Sequence, residues 1–432
     1  MKSKRQFTYK KFIVVLLALS FLSFSCGGGG NQQPKDIVLQ FWDPFENTEN
    51  FQPFFDDFQQ KYPNIRIEYT KKDIATYNED LLNALAAGTG PDIFSINNSW
   101  LPKYSDKLTP APQKIWQFKD YKDAFVDTAV NDFTQEQNIY AVPLYVDSLA
   151  LYYNKDILGT NSIATPPKTW GELAQDAQKI RRGDRTGYFT VSGLAAGTNS
   201  NVNRAMDIVY LFMLQKGAVP YSEDRTRPTF AQPIDRDGKN LNPGQEALSF
   251  YTSFANPNGP NYNWNLRSDY SIDAFTNGRA AFLYSYSYTI DTLRKKNPNL
   301  NFDVAGAPQP ALDQPAVNFA NYWGEAVGKQ SKNQDAAWSF LKFISSKDSL
   351  DKYYVRHKLP ASRKDLIALQ ISDPDIGVFA NSNLTAKSFY KPDPDKLDDI
   401  FGSMIDGVIL KGLSIRDALT QAEQQAETLS AH

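Results

Sequence analysis

The feature that most constrains the fold of this chain is a regular alternation of strand and helix patterns near its start. Five segments follow one another with short connections: a buried strand at 37–42, a helix with phenylalanines at 51, 54, 55 and 58, an alternating strand at 65–69, a helix with apolar residues at 74, 77, 81 and 85, and a strand at 92–96. This order is typical of a parallel α/β sheet. Because ligand sites in such sheets lie at the carboxyl ends of the strands, segments 42–46 and 97–100 are the first candidates for a binding site.

The rest of the chain continues the α/β pattern. Thr169 and Glu172 form a capping box that predicts a helix from Trp170. Other segments predict a helix at 206–214, strands at 280–284 and 302–304, a helix at 334–344 and mostly helix at 395–428. A chain of 432 residues exceeds what one hydrophobic core usually organises, so we predict an α/β protein of two or three units.

Composition and charge exclude several classes of function. Lysine and arginine number 46 against 48 acids, so nothing predicts a nucleic-acid partner. Cys26 is the only cysteine, and His357 and His432 are the only histidines. A zinc site with Cys or His ligands and a disulfide within the chain are therefore excluded, and a hydrolytic triad would depend on His357. We expect no metal and no cofactor.

The first 26 residues predict an export signal. A basic start precedes an apolar run at 12–24, which is too short to span a bilayer comfortably. Segment 22–26 resembles a bacterial lipobox, in which cleavage before Cys26 leaves an N-terminal cysteine that carries lipid. Four glycines then begin a flexible tether over 27–36. An uncleaved N-terminal anchor is the alternative, and in both cases the body of the chain is exported.

Several blocks resemble family 1 extracellular solute-binding proteins. They are GTGPDIF at 88–94, VPLYVDSLALYYNKD at 142–156, PKTWGEL at 167–173, FTNGRAA at 275–281 and AAWSFL at 336–341. The blocks follow the order and spacing of this family, whose members are receptors of ATP-driven importers and include sugar-binding lipoproteins similar to the maltose-binding protein.

The resemblance implies an α/β, two-lobed fold like that of periplasmic binding proteins, with discontinuous lobes and a hinge. In the implied domain organisation, a lipoprotein signal peptide at 1–26 and the tether at 27–36 precede the lobes. Lobe 1 takes 37–146 and 307–346, and lobe 2 takes 147–306 and 347–432. The lobes would close on a ligand held between them.

The resemblance also implies site residues. Asp147 corresponds to the acid that sugar-binding members place at the first crossing between lobes, and Trp323 to an aromatic residue before a strand. Tyr288 falls where the maltose receptor has a stacking tryptophan, although the run 284–288 leaves open which tyrosine stacks. Asn97 and Asn98 follow a strand at a position where members commonly supply polar ligand contacts.

A sugar site combines aromatic rings with carboxylates and amides, because a pyranose has an apolar face and a rim of hydroxyls. The candidate rings are Trp42, Trp100, Tyr286, Tyr288 and Trp323. The candidate polar groups are Glu46, Asn97, Asn98, Asp147 and Glu325. For each ring the alternative is ordinary core packing, and for Asp147 it is an exposed acid at the hinge.

These observations predict a lipid-anchored receptor on the outer face of the cytoplasmic membrane that delivers a carbohydrate to the permease subunits of an ABC importer. We expect a monomer that is not an enzyme. One alternative is a secreted glycosidase that uses a carboxylate pair such as Glu46 and Asp147. Another is the same fold binding a non-sugar solute, and a polyamine would require convergent acids, for which Glu46, Asp147 and Glu325 are candidates.

Overall fold

A computed structural model describes residues 35–184 and 187–429. The predicted signal peptide, Cys26 and the tether up to residue 34 lie outside these residues. Within the described part of the chain, no helix combines the length and the apolar character needed to cross a membrane.

The described residues form sixteen strands and seventeen helices. The strands are β1 (Ile37–Asp43), β2 (Ile65–Lys71), β3 (Ile93–Asn97), β4 (Thr134–Gln135), β5 (Asn138–Ile139), β6 (Ala141–Val142), β7 (Ala150–Asn154), β8 (Arg182–Gly183), β9 (Phe189–Leu194), β10 (Ile234–Arg236), β11 (Lys239–Leu241), β12 (Ala280–Ser285), β13 (Phe302–Gly306), β14 (Asn318–Phe319), β15 (Trp323–Val327) and β16 (Ala386–Lys387). The helices are α1 (Thr48–Lys61), α2 (Tyr77–Ala86), α3 (Leu101–Tyr104), α4 (Phe118–Ala124), α5 (Asp127–Phe133), α6 (Lys155–Thr160), α7 (Trp170–Ile180), α8 (Ala205–Lys216), α9 (Pro243–Ser253), α10 (Ser271–Thr276), α11 (Thr289–Lys296), α12 (Gln334–Ile344), α13 (Lys347–His357), α14 (Lys364–Gln370), α15 (Gly377–Asn383), α16 (Pro394–Lys411) and α17 (Ile415–Glu427).

The first lobe is built on a five-stranded sheet with the order β2-β1-β3-β15-β6. β1 runs parallel to β2 and β3, and β15 runs antiparallel to β3 and β6. The predicted face of α1 is buried, with its phenylalanines at 51, 54, 55 and 58 in the core of this lobe. Because β15 is antiparallel to β3, its first residue, Trp323, pairs with the last residue of β3, Asn97. The carboxyl ends of β1 and β3 and the start of β15 therefore meet at one edge of the sheet.

The second lobe is built on a five-stranded sheet with the order β13-β7-β12-β9-β8. β12 runs parallel to β9 and antiparallel to β7. The capping box of Thr169 and Glu172 is present and starts α7 as predicted. α8 is buried almost all round, and Gly217 ends it with a left-handed φ of 87°.

Two hydrophobic cores, one for each lobe, divide the chain and confirm the predicted two-lobed α/β fold. The buried residues change core between Val146 and Leu149, between Phe319 and Ala320, and between Ala386 and Phe389. Near this last change, α15 contributes Phe379 to the second core and Ala380 to the first. The chain therefore crosses between the lobes three times, so each lobe is made of discontinuous segments.

The distribution of later segments between the lobes differs from our expectation. Segment 307–319 was expected in lobe 1, but Ala307 and Phe319 are buried in the core of lobe 2. α13 and α14 were expected in lobe 2, but they contribute to the core of lobe 1. The Tyr353 ring of α13 lies 6.0 Å from the Phe51 ring of α1, so α13 covers the aromatic face of that helix. An amphipathic pattern shows which face of a helix is buried but not which sheet it covers.

Candidate ligand-binding site

The loop after β1 is held in place by the buried carboxylate of Asp43. Its Oδ1 accepts hydrogen bonds from the backbone N–H groups of Phe45 (2.8 Å) and Glu46 (2.9 Å) and from the Tyr69 hydroxyl (3.0 Å). A side-chain oxygen that binds backbone N–H groups two and three residues ahead fixes a tight turn. This turn places Phe45 and Glu46 at the carboxyl ends of the parallel strands.

A small pocket lies at this edge of the first sheet. It is lined by Asp43, Phe45, Glu46, Phe51, Leu144, Tyr145, Trp323, Glu325 and Tyr353. Of the predicted site residues, the structure thus brings together Glu46, Trp323 and Glu325. Asp43, Phe45 and Tyr145 were not among the individual residues that we predicted, although Asp43 and Phe45 lie within the candidate segment 42–46.

The Trp323 side chain packs against two other aromatic rings. It is half-buried, and its ring lies 5.0 Å from that of Phe45 and 4.9 Å from that of Trp100. Trp100 itself is buried and stacks on Tyr104 at 5.2 Å, so it supports Trp323 from behind. Trp42 does not line the pocket, and the amine of Lys72 lies 4.1 Å from its ring centroid.

Glu46 is half-buried and contacts two polar side chains. It accepts a hydrogen bond from Asn50, and its Oε2 lies 3.9 Å from Nδ1 of His357 on α13. Burial lowers the pKa of His357. The Nε2 atom of His357 is buried and has no hydrogen-bond partner among the described residues. The sequence identifies His357 only as an internal histidine, because its neighbour Glu46 is 311 positions away along the chain.

The tyrosines of segment 284–288 differ in how far solvent reaches them. Tyr284 is fully buried, Tyr286 is 1% exposed and Tyr288 is 47% exposed. Tyr286 donates a hydrogen bond to Asp207 (2.9 Å), and its ring lies 6.1 Å from that of Tyr288. Arg204 donates to the Tyr288 hydroxyl at 3.3 Å. A solute can therefore reach the Tyr288 ring more readily than the other two, and Arg204 and Asp207 join this group without any signal in the sequence.

Asp147 is buried at the first crossing between the lobes and is not an exposed hinge acid. Its carboxylate accepts hydrogen bonds from the N–H of Ser148 (3.0 Å), the N–H of Ser287 (3.0 Å) and the Ser287 hydroxyl (2.7 Å). Burial raises the pKa of Asp147 to about 7, although these hydrogen bonds and the charge of Arg204 oppose the shift. Asp147 thus ties the first crossing to the loop that follows β12.

The side chains of Asn97 and Asn98 form hydrogen bonds with different groups of residues. The Asn97 amide donates to Asn321 (2.9 Å), and the Asn321 amide donates to Asp207 (3.4 Å), so this chain of hydrogen bonds connects the two lobes. Asn98 is buried and donates to Asp132 at 3.1 Å. It lines a different cavity of about 1,380 Å³, including its open mouth, which Trp323 does not reach.

The carboxylates of the first lobe do not form a metal site. Among the residues of the described ranges, no group of three or more His, Cys, Asp or Glu side chains is arranged to hold a metal ion. Asp43, Glu46 and Glu325 line one pocket, whereas Asp147 is not among its lining residues.

Comparison with known proteins identifies one matching family and several similar binding proteins. A family model described as bacterial extracellular solute-binding protein matches residues 54–377. The maltotriose-binding protein of Pyrococcus abyssi is 21% identical over 400 residues, which cover 88% of this chain and 76% of the relative. The galactooligosaccharide-binding protein of Bacillus subtilis is 22% identical over 363 residues, which cover 82% and 80%. The structure of a cyclic alpha-maltosyl-1,6-maltose binding protein from Arthrobacter globiformis matches with a TM-score of 0.76 at 18% identity, covering 91% of this chain and 99% of that one.

Proposed function

Because this chain belongs to the family of bacterial extracellular solute-binding proteins, we propose that it is the carbohydrate receptor of an ABC importer. Family membership makes it an exported solute-binding protein. The carbohydrate, the importer and the lipid anchor are our proposal. In this role the protein captures an oligosaccharide between its lobes and delivers it to the permease subunits.

The observation that carries the proposal is the pairing of Trp323 with Glu46 in one pocket. The half-buried Trp323 ring is supported by Trp100 and flanked by Phe45, so it offers a rigid apolar surface. Glu46 lines the same pocket and offers a charged acceptor. A pyranose needs both, because its ring face is apolar and its rim consists of hydroxyls.

The second lobe contributes Tyr288 and Arg204. Tyr288 is the exposed tyrosine of its run, and Arg204 donates to its hydroxyl, which orients the ring. A ligand that touches Trp323 on one lobe and Tyr288 on the other would favour the closed arrangement of the lobes. This is the contact pattern of a hinged receptor.

The relatives favour an oligosaccharide. The Pyrococcus abyssi relative is named for maltotriose, and the Bacillus subtilis relative is named for galactooligosaccharides. We therefore take maltotriose as the first probe for this chain.

The proposed contact residues differ in part from those expected from the sequence. We retain Glu46, Tyr288 and Trp323 as ligand contacts and add Phe45 and Arg204. For the remaining predicted residues we propose supporting roles. Trp100 would support Trp323, Tyr286 would support Tyr288, and Asp147 and Asn97 would connect the lobes. Asn98 faces another cavity, Glu325 contacts Ser95 in the first sheet, and the Trp42 ring contacts Lys72.

The glycosidase alternative finds no support in the position of Asp147. Both of its oxygens accept hydrogen bonds from Ser148 or Ser287, and the side chain is buried. A carboxylate in this state is not free to attack a sugar or to activate water, so the pair Glu46 and Asp147 does not resemble a catalytic pair.

The test is identification of the ligand that copurifies with the protein, by mass spectrometry, followed by calorimetry with maltotriose and with that ligand. We expect a saccharide that binds and is recovered without new reducing ends. An amine or a metal chelate in the pocket would contradict the carbohydrate and leave the solute-receptor fold in place. New reducing ends would instead indicate an enzyme.

A further inference from the structure

Ser95 on β3 lies between two buried carboxyl groups of the first lobe. Its hydroxyl oxygen is 2.7 Å from Oδ2 of Asp43 on β1 and 2.8 Å from Oε2 of Glu325 on β15. Both distances are those of hydrogen bonds between oxygens. A serine hydroxyl has one proton and so can donate only one of these two bonds. The other bond requires a proton on one of the carboxyl groups.

The hydrogen bonds of Asp43 identify it as the ionised partner. Besides Ser95, its carboxylate accepts from the N–H groups of Phe45 and Glu46 and from the hydroxyl of Tyr69. Burial raises the pKa of Asp43, and these four hydrogen bonds oppose that shift because they stabilise the charged form. Among the described residues, Glu325 has only the Ser95 bond to oppose its own burial. Glu325 forms its hydrogen bond with Ser95, and within the described part of the chain it takes part in no ion pair.

We propose that Glu325 keeps its proton at neutral pH and donates it to Ser95, which in turn donates to Asp43. This makes Glu325 a positioning residue, because the one-way chain of donors fixes the Asp43 carboxylate that holds the turn carrying Phe45 and Glu46. The effect on ligand affinity rests on the proposed function, whereas the position of the proton does not.

The groups that face Glu325 agree with this assignment. Burial and the nearby charge of Asp43 raise the pKa of Glu325 well above its usual range, and the hydrogen bond with Ser95 opposes the shift only in part. The other titratable groups that act on it are the phenols of Tyr69, Tyr77, Tyr145 and Tyr353. These phenols are neutral at physiological pH. Glu46, on the same pocket, would add a further negative charge and so would also favour the protonated form.

Loss of this proton would leave two carboxylates competing for one hydroxyl. The Asp43 carboxylate would then lose the orientation that Ser95 gives it, and the turn with Phe45 and Glu46 would loosen. We therefore expect ligand affinity to fall at alkaline pH, when Glu325 ionises.

The test compares the wild-type protein with Glu325→Gln by urea unfolding across a pH series. In the wild type the native state keeps a proton that the unfolded chain loses near its ordinary pKa. The wild type should therefore lose stability relative to the variant as the pH rises from about 5 to about 8. The ratio between the unfolding equilibrium constants of the wild type and the variant should change by up to about tenfold per pH unit. Parallel pH profiles would overturn the proposal.

Asp132→Asn is the matched control. Asp132 is a half-buried carboxyl group of the first lobe whose pKa is also raised by loss of solvent, but it accepts hydrogen bonds from Asn98 and Tyr322, away from Ser95. Its replacement should remove its own contribution to the pH profile and leave the effect of Glu325→Gln unchanged. The double variant, Asp132→Asn with Glu325→Gln, measures this directly when it is compared with Asp132→Asn alone.

Infrared spectroscopy gives a readout that does not depend on stability or on any ligand. The carbonyl band of a protonated carboxylic acid should be present in the wild type, reduced in Glu325→Gln and displaced in Ser95→Ala, where the acid has lost its acceptor. If Glu325→Gln does not fold, the Ser95→Ala displacement and the titration of the wild-type band remain decisive. A band that neither substitution changes would overturn the proposal, and a failure of sugar binding would leave this result unaffected.

Discussion

At the scale of single residues, the pocket of the first lobe is formed in part by Trp323 and by the turn that Asp43 holds. Trp323 is the only predicted aromatic residue that lines the pocket beside Glu46. Its ring contacts Phe45 and Trp100, which limits its motion. A ring already fixed in the free protein loses little conformational freedom when a ligand binds.

Trp323→Ala should weaken binding of the copurifying ligand by about 2 kcal/mol, roughly thirtyfold in Kd, because it removes a central aromatic contact. Calorimetry measures this effect. Tyr188→Ala is the control, since Tyr188 is exposed and does not line the pocket. Unchanged affinity in a folded Trp323→Ala protein would show that the ligand lies elsewhere.

Asp147 makes stability depend on pH in a defined direction. Its pKa is raised from 3.8 to about 7, so the native state binds a proton that the unfolded chain releases at lower pH. This contribution to the free energy of unfolding is present below pH 4 and is lost as the pH rises to about 7, by at most about 1.4 kcal/mol per pH unit.

Asp147→Asn should flatten this part of the profile in urea unfolding, because the amide carbonyl can still accept from Ser148 and the amide N–H can donate to the Ser287 hydroxyl. Asp120→Asn, on an exposed position of α4, should leave the slope as it is. A wild-type slope in Asp147→Asn would mean that Asp147 ionises normally.

At the scale of elements, the assignment of α13 to the first lobe is the main consequence of tertiary packing. Leu350 and Tyr353 on this helix are buried in the first core. The Tyr353 ring lies 5.8 Å from Phe54 of α1 and 4.4 Å from His357. α13 therefore places His357 beside Glu46.

Leu350→Ala should destabilise the protein by about 2–5 kcal/mol, since it creates a cavity in the first core. Leu369→Ala is the matched control, because Leu350 is 0% exposed and Leu369 on α14 is 67% exposed. The control should change the free energy of unfolding by about 0.5 kcal/mol or less. Equal effects of the two substitutions in urea unfolding would contradict the packing of α13 in this core.

At the scale of the whole molecule, three crossings connect two separate cores. Few connections between rigid bodies allow hinge motion, and a ligand that contacts both bodies stabilises one arrangement. The hydrogen bonds from Asn97 to Asn321 and from Asn321 to Asp207 lie at one of these crossings.

Saturating ligand should reduce the radius of gyration measured by small-angle scattering. It should also raise the melting temperature progressively with ligand concentration, because only the native state binds. Identical scattering curves with and without a tightly bound ligand would contradict closure.

Cys26→Ser should release the protein from the membrane fraction of cells that express the full chain. Several acyl chains on one cysteine would hold the protein firmly, whereas a protein without them has no lipid anchor. Fractionation followed by immunoblotting checks this. A variant that stays in the membrane fraction would indicate an uncleaved N-terminal anchor.

Local sequence patterns were sufficient to predict many of the helices and strands. The spacing of phenylalanines predicts the buried face of α1, and the capping box predicts the start of α7, because these features depend on residues within one or two helical turns. The motifs also led to the two-lobed fold. Trp323 and Glu46, both named from the sequence, line one pocket, and their contact with a ligand stays a prediction.

Tertiary structure decided what depends on residues far apart in the chain. Long-range packing sets the burial of Asp147 against Ser287, the greater exposure of Tyr288 than of Tyr286, and the placement of α13 on the first lobe. The contacts of the Ser95 hydroxyl with Asp43 and with Glu325 join three strands whose residues are 52 and 230 positions apart. No local pattern encodes such a contact, because burial and the position of a proton are set by neighbours that only the folded sheet brings together.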